Sequence, residues 1–338
     1  MQTGSPVSLG AVDAHTAGGL VRLIVSGLAV RGGATMSEKA ATLGRRAERL
    51  CDAAAREPRG HGGITVAVLT VPAQPQSDAG LLLRRAGRYL PFSGEALIAV
   101  TTIALERKLI VPAQPGVLQF DTEAGTVSVS YDADGSSGPF RVRNVRLVTP
   151  EAHVLAAGLD VTLASRAIRT DVVLAGEWLS MVDAESAGVV LTRSSAASLQ
   201  QAGVVIIEAV ERTLRSAPLS GDPPGRLAGV VFTGPASEGE ACLRAAIVRR
   251  DGRVEHWPSG AALAAALAVL SDMGLAATGD ALELEGLIGT RLRGRLLRQR
   301  PLADRSAVVV EVAGTAWITA DHQFVLHADD PLRGGLAD

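Results

Sequence analysis

The sequence predicts an α+β fold built as two related lobes, on three observations. Its 338 residues suit two domains better than one or three, at roughly 150 residues per domain. Short β-branched runs separated by glycine and proline turns outnumber the helical stretches. Two almost wholly apolar helical stretches, each opened by Ser-Gly, start at Ser93 and Ser259, 166 residues apart and so close to half the chain.

Taken along the chain, Val21–Val25, Ile64–Val71, Thr126–Tyr131, Val204–Val210, Val230–Thr233, Leu243–Val248 and Val308–Val312 read as strands, because β-branched aliphatics fit a pleated, half-buried surface. Pro115-Gly116, Asp134-Gly135, Pro224-Gly225 and Asp251-Gly252 mark turns. Arg244–Arg249 and Arg253–Glu255 flank the last of these as a hairpin. Met36–Ala55 has helix-forming composition, and Asp183–Gly188 and Ser195–Ala202 read as shorter helical segments. The apolar helices are Gly94–Lys108 and Gly260–Met273, and Ser216–Arg226 is a loop on its Ser, Gly, Asp and Pro content.

Composition excludes several classes. Apolar residues make up 47% of the chain, enough to bury real cores. With 33 basic and 35 acidic residues, net charge −2, nothing draws the chain to nucleic acid or anionic lipid. Lys39 and Lys108 are the only lysines, so Schiff-base chemistry uses one of them or is absent. Cys51 and Cys242 make no disulfide framework. The N-terminus lacks a basic segment followed by an apolar run, and the longest aliphatic stretch, 260–270, is short of the ~20 residues of a membrane span. A cytoplasmic protein is expected. No phosphate loop, Cys-x-x-Cys or two-histidine spacing is present, so neither metal nor cofactor is expected.

The paired helices carry the chemistry. The first opens Pro91-Phe-Ser93-Gly94-Glu95-Ala96-Leu97-Ile98-Ala99, the second Pro258-Ser259-Gly260-Ala261-Ala262-Leu263-Ala264-Ala265. A helix apolar all round must be buried. Its first four N–H groups lack partners within the helix and carry partial positive charge, and Gly just inside the start lets a ligand approach the backbone. Two such ends facing one cleft would cradle a carboxylate, with Gly94, Ala96, Gly260, Ala261 and Ala262 as backbone contacts. The competing reading makes Ser93 and Ser259 ordinary N-caps of core helices.

The chain resembles the proline racemase family, with its hydroxyproline epimerases and trans-3-hydroxyproline dehydratases. More distantly it is similar to diaminopimelate epimerase and the phenazine-biosynthesis isomerases. The matching pieces are Asp13-Ala-His15-Thr16-Ala-Gly18 with Arg22, Thr35-Met36 with Glu38-Lys39, Glu57-Pro-Arg-Gly-His61, Leu69-Thr70-Val-Pro72 and Asp78-Ala-Gly80. Further on come Phe232-Thr-Gly-Pro235, Arg244, Gly314-Thr-Ala-Trp-Ile-Thr, Phe324-Val-Leu and Asp329-Asp330-Pro331. The resemblance implies a curved mixed sheet wrapped around a central helix in each lobe, with the active site between lobes. It assigns 1–147 with 312–338 to the first lobe and 148–311 to the second. The implied partners are a small amino or imino acid and a second copy of the chain.

The family's chemistry rests on two cysteines, one at each helix start. Their motifs, Met-Cys-Gly-His-Gly and Asp-Arg-Ser-Pro-Cys-Gly-Thr-Gly-Thr, fall here on Phe92–Ala96 and Glu255–Leu263, so serine stands in both cysteine positions. A hydroxyl is far less acidic than a thiol and needs a neighbouring base, which argues against two-thiol racemisation. Glu95, where the family has His, is the candidate base, or else a first-turn Glu favoured by the helix dipole. Glu255 takes the place of an Asp that holds the substrate amine, and His256 replaces an Arg and could shuttle protons. Asp13, His15, Arg59 and His61 are expected to serve the framework. The leading expectation is an isomerase or lyase working on the α-proton of a proline-like acid, with Ser93, Ser259, Glu95 and His256 as its chemistry. The alternative is an inactive homologue that binds an imino acid or small carboxylate.

Overall fold

A computed structural model of the chain describes residues 6–30, 32–135, 139–163, 166–216, 226–237, 242–302 and 305–336. It divides into two compact units, Met1–Leu147 with Gly314–Asp338, and Val148–Ala313.

In the first unit, β1 (Val7–Thr16) and β2 (Gly19–Ser26) lead into α1 (Met36–Thr42) and α2 (Gly44–Ala55), followed by β3 (Thr65–Thr70), β4 (Ala79–Arg85) and β5 (Arg88–Leu90). Next come α3 (Gly94–Glu106), β6 (Val117–Thr122), β7 (Gly125–Asp134) and β8 (Arg141–Val148). One further strand, Ala316–Leu326 near the C-terminus, pairs with β1 along its whole length. From that strand the sheet runs β1, β2, β3, β4, β6, β7, β8, with parallel joins at β2/β3 and β4/β6. α1 and α2 pack Met36, Ala40, Cys51 and Ala54 on one face of the sheet, against Leu9, Ile24, Val66 and Leu82. α3 packs against β1, β2, β3 and β7.

The second unit contains β9 (Ala152–Thr162), β10 (Ala167–Ala175), β11 (Trp178–Asp183), α4 (Ala196–Ser216), β12 (Gly229–Pro235), β13 (Cys242–Arg249) and β14 (Val254–Glu255). α5 (Gly260–Asp272), β15 (Ala281–Glu285), β16 (Arg291–Leu302) and β17 (Arg305–Gly314) complete it, and the strand Ala316–Leu326 is β18. Its order is β9, β10, β11, β12, β13, β15, β16, β17, with parallel joins at β11/β12 and β13/β15. β17 pairs back onto β9 through Ala307 and Val308, closing the sheet. α5 packs inside against β9, β10, β11, β15 and β16, and α4 covers the opposite face with Leu199, Ile206, Ile207 and Val210.

The two units repeat one topology. Each places its two parallel joins at equivalent strands, and each crosses from a short hairpin strand through an apolar helix to the next long strand. β5 and β14 open at 88 and 254, α3 and α5 at 94 and 260, and β7 and β16 at 125 and 291, a constant spacing of 166. α3 and α5 both run 13 residues, and all of α3 except Glu95 and Glu106 is buried. Where Gly294 of β16 meets α5, an added Cβ would stand 2.8 Å from Leu263 Cγ, so the helix lies hard on the sheet.

Several expectations are corrected. Val204–Val210 lies in α4, not a strand. Its buried positions follow Leu199, Gly203, Ile206, Ile207 and Val210, a helical stripe whose packing overrides the β-propensity of its Val and Ile residues. Asp183–Gly188 closes as a turn rather than a helix: Asp183 accepts from the Ser186 N–H and hydroxyl at 2.7 and 2.9 Å. Met36–Ala55 divides into α1 and α2 at Gly44, whose φ of +74° suits glycine. The hairpin through Asp251-Gly252 is present, pairing Ile247 with Glu255. The loop expected at Ser216–Arg226, with its Pro224-Gly225 turn, falls outside the described residues except for Ser216 and Arg226.

Candidate active site

Ser93 caps α3 with extended backbone (φ −154°, ψ 117°), and its hydroxyl accepts from the Ala96 N–H at 3.3 Å. The same hydroxyl donates to Glu95 Oε2 at 3.3 Å, long for an O–H···O bond. Thr16 of β1 donates to the Glu95 carbonyl at 2.9 Å and fixes the first turn of α3 from the sheet. Gly94 and Ala96 are buried, while Ser93 and Glu95 are half-buried and so reach the surface of this otherwise sealed helix.

The β6–β7 turn carries a carboxylate that sequence reasoning missed. This turn binds the segment before Ser93, the Ala124 N–H donating to the Pro91 carbonyl at 3.3 Å. Its Glu123 is half-buried, and burial pushes its carboxyl above the ordinary range. Glu123 lines a cavity of about 180 Å³ with Thr35, Gln74, Asp121 and Thr126. Asp121 is held below its ordinary range, against its own desolvation, by bonds from Ser77, the Gln74 N–H and Thr126 at 2.6, 2.6 and 2.8 Å. An isolated Glu in a turn carries no sequence pattern that singles it out.

The start of α5 is built differently. Ser259 is the N-cap, 2% exposed, and its side chain makes no capping bond; its carbonyl accepts from the Leu263 N–H at 2.9 Å. Gly260 and Ala262 are buried and Ala261 is half-buried. The preceding segment presses on the end of β15: a Cβ on Gly286 would stand 2.6 Å from the His256 carbonyl oxygen and 2.8 Å from Trp257 Cα. His256 Nδ1 is buried without a hydrogen-bond partner. Burial, helped by Arg193, lowers its pKa from 6.5, so the ring is neutral at neutral pH and can accept a proton there.

Glu255 ends β14, ahead of the α5 start. It is wholly buried, and Arg249 grips both carboxylate oxygens, Nε to Oε1 at 2.8 Å and Nη2 to Oε2 at 2.9 Å. Arg249 also reaches Glu177 at 2.6 Å. This bidentate grip fixes the Glu255 carboxylate and anchors the hairpin before α5. Arg249 and Glu177 escaped sequence reading because the pair spans 72 residues.

The expected framework residues are bound as such. Asp13 and Arg22 form a buried bidentate pair at 2.7 and 2.8 Å, with His322 at 3.0 Å from Asp13 and Phe324 beneath the guanidinium. Arg22 also donates to the carbonyls of Ala54 and Arg59. Arg59 ties Asp330 and the Leu332 carbonyl at 2.8 and 2.9 Å. His15 and His61 accept from the N–H groups of Gly18 and Gly63 at 3.3 and 3.1 Å. Cys51 on α2 and Cys242 at the start of β13 are free and buried, and burial pushes the Cys51 thiol up to about 12 and raises that of Cys242. Lys39 is buried and donates to the Val71 carbonyl at 2.6 Å. Among the described residues no three His, Cys, Asp or Glu side chains gather as a metal site, and no helix is long and apolar enough to cross a membrane.

Comparison with known proteins places this architecture. A 4-hydroxyproline epimerase of Brucella melitensis is 29% identical over 327 residues, 96% of this chain and 97% of its own. The structure of a hydroxyproline epimerase from Agrobacterium vitis, with bound trans-4-hydroxy-L-proline, superposes with a TM-score of 0.84 at 25% identity over 98% of this chain and 95% of its own. That of a probable proline racemase from Agrobacterium radiobacter, with bound carbonate, gives 0.82 at 26% over 97% and 96%. A phenazine biosynthesis protein of Bacillus anthracis shares the fold, with a TM-score of 0.58 at 12% identity over 95% and 99%. The sequence profile of proline racemase matches residues 11–337. With both units repeating one strand order around an apolar Ser-Gly helix, and with that match running almost from end to end, the chain belongs to the proline racemase family.

Proposed function

We propose that the protein is an epimerase-type isomerase that moves the α-proton of a proline-like imino acid, without the two-thiol mechanism. The observation that supports this best is the Ser93–Glu95 contact at the α3 start, where a carboxylate stands within reach of the hydroxyl that replaces a thiol. In this reading the first-turn N–H groups at Gly94, Gly260, Ala261 and Ala262 receive the substrate carboxylate, and the Ala96 N–H stays on the Ser93 hydroxyl. Glu95 acts as general base, directly or through Ser93, and neutral His256 with Ser259 handles the proton on the α5 side. Only one strong base is needed if the substrate carries a leaving group, so loss of water from a hydroxylated imino acid is the lyase form of the same chemistry.

A homologue that binds without turnover is the second reading. It is favoured by Ser259, whose hydroxyl makes no hydrogen bond to a base among the described residues. One experiment separates the two: trans-4-hydroxy-L-proline and L-proline are incubated with the protein in deuterated water and followed by proton NMR. The isomerase reading expects loss of the α-proton signal, slowed at least about 100-fold by Glu95→Gln while ligand binding persists. Full exchange in Glu95→Gln removes Glu95 from the mechanism. Saturable binding with no exchange by the wild type selects the binder.

A further inference from the structure

We infer that the first unit carries an anion-binding site, apart from the Ser-Gly helix starts, that takes a small molecule bearing at least two negative charges, of the pyrophosphate or phosphate-ester class. A cavity of about 570 Å³ is lined by Arg46, Arg49, Leu50, Arg333 and Gly334, a size within the range of small-molecule sites. Arg46, Arg49 and Leu50 are three and four residues apart on α2 and so share one face of it. Arg333 and Gly334 come from the turn after β18, where the N–H groups of Arg333 and Gly335 bond to the carbonyls of Asp330 and Leu332.

The arginines are what set this cavity apart. Many of the chain's guanidinium groups are held by carboxylates, Arg22 by Asp13, Arg59 by Asp330, Arg84 by Glu48 and Asp52, Arg249 by Glu177 and Glu255, whereas this cavity gathers three that are not. Among the described residues the guanidinium groups of Arg46, Arg49 and Arg333 have no ion pair or hydrogen bond, and the Gly334 N–H has no acceptor. Of the acids on α2 and around this turn, Glu48, Asp52 and Asp330 are engaged by Arg84 and Arg59, while Glu57 and Asp329 bear no ion pair to the three arginines among the described residues. Three like charges therefore share one concavity, in a protein whose net charge is −2.

Their position on α2 sharpens the imbalance. The helix starts at Gly44 without a side-chain cap and with no acidic residue in its first turn, so Arg45 and Arg46 stand at the end where the helix dipole disfavours cations. A bound dianion offsets both repulsions. Arginine forks match phosphate oxygens two at a time, Gly334 offers a backbone N–H unobstructed by a side chain, and Leu50 supplies an apolar wall for the rest of the ligand. The site is independent of the α-proton reading and uses none of its residues.

Isothermal titration calorimetry with inorganic pyrophosphate at low ionic strength tests it. The control is Arg295→Gln, which removes an exposed arginine without an ion pair from β16. The expected result is saturable one-site binding by the wild type and by Arg295→Gln, weakened at least about ten-fold in Arg49→Gln/Arg333→Gln. Pyrophosphate should raise the melting midpoint of the wild type and leave that of the double variant unmoved. Three results overturn the site: no saturable binding, equal binding by the double variant, or equal weakening in Arg295→Gln, which would mean general charge attraction.

Discussion

At the residue scale, this chain buries charge by pairing it with arginine and buries histidine by keeping it neutral. Glu255 and Asp13 each sit in a bidentate guanidinium grip with exposure below 5%. Breaking such a pair by removing one partner costs about 3–5 kcal/mol, because the other charge stays buried alone. His15, His153 and His256 have no such partner, and burial lowers the pKa of all three from 6.5. The sign follows from linkage: the unfolded chain takes up these protons near pH 6.5, while the folded chain resists until a lower pH. Stability carried by the three rings is therefore present above pH 6.5 and lost as pH falls toward their folded values. His153 isolates the effect, since it lies edge-on to Trp178 at 6.4 Å, with Arg305 adding to its depression and Glu151 opposing it. NMR titration of its ring should give a midpoint below 6.5, and His153→Gln should flatten the fall of the urea midpoint between pH 6.5 and 5. A His153 midpoint at or above 6.5 would refute the assignment. Ser93 and Ser259 stand out in the sequence because a repeated local motif marks them, and Glu95 only because it takes the place of the family's His. Arg249 and Glu123 do not, since a long-range pair and a turn packed on a distant segment leave no local pattern.

At the element scale, the apolar helices and the hairpin at Asp251-Gly252 follow from composition and turn chemistry alone, both of which act over a few residues. α4 shows where that local logic fails. Val204–Val210 has strand composition, but burying Ile206, Ile207 and Val210 against β12 and β13 requires a helical period. Val205, half exposed at 50%, is left paying the χ1 cost of a β-branched side chain in a helix with limited packing to offset it. Val205→Ala should accordingly raise stability by up to about 0.5 kcal/mol, read from the urea midpoint. A loss greater than about 1 kcal/mol would show that the side chain is packed rather than exposed. Strands such as β4, buried along nearly its whole length, lack the alternation that makes half-buried strands readable.

At the scale of the whole molecule, the 166-residue spacing is the one long-range feature the sequence discloses, because duplication leaves its record in matching letters as well as in matching folds. It ties β5, α3 and β7 to β14, α5 and β16, while β6 and β8 stand 164 residues from β15 and β17. The strand orders themselves were legible only through family resemblance, since pairing partners are chosen by contacts far apart in the chain. The two units differ in how they are completed. The first needs β18, from the far end of the chain, to pair β1 over ten residues. The second is continuous from Val148 to Ala313, closes β17 onto β9, and carries its own central helix and its own outer core under α4. A contiguous segment with a closed sheet and a separate core meets the requirements for independent folding. Residues 148–313 expressed alone should thus unfold cooperatively in urea with protected amides in β12, β13 and α5, whereas 1–147 without β18 should leave β1 unprotected. Non-cooperative loss of structure in 148–313, or full protection of β1 in the shorter N-terminal segment, would mean that stability is shared across the chain rather than held unit by unit.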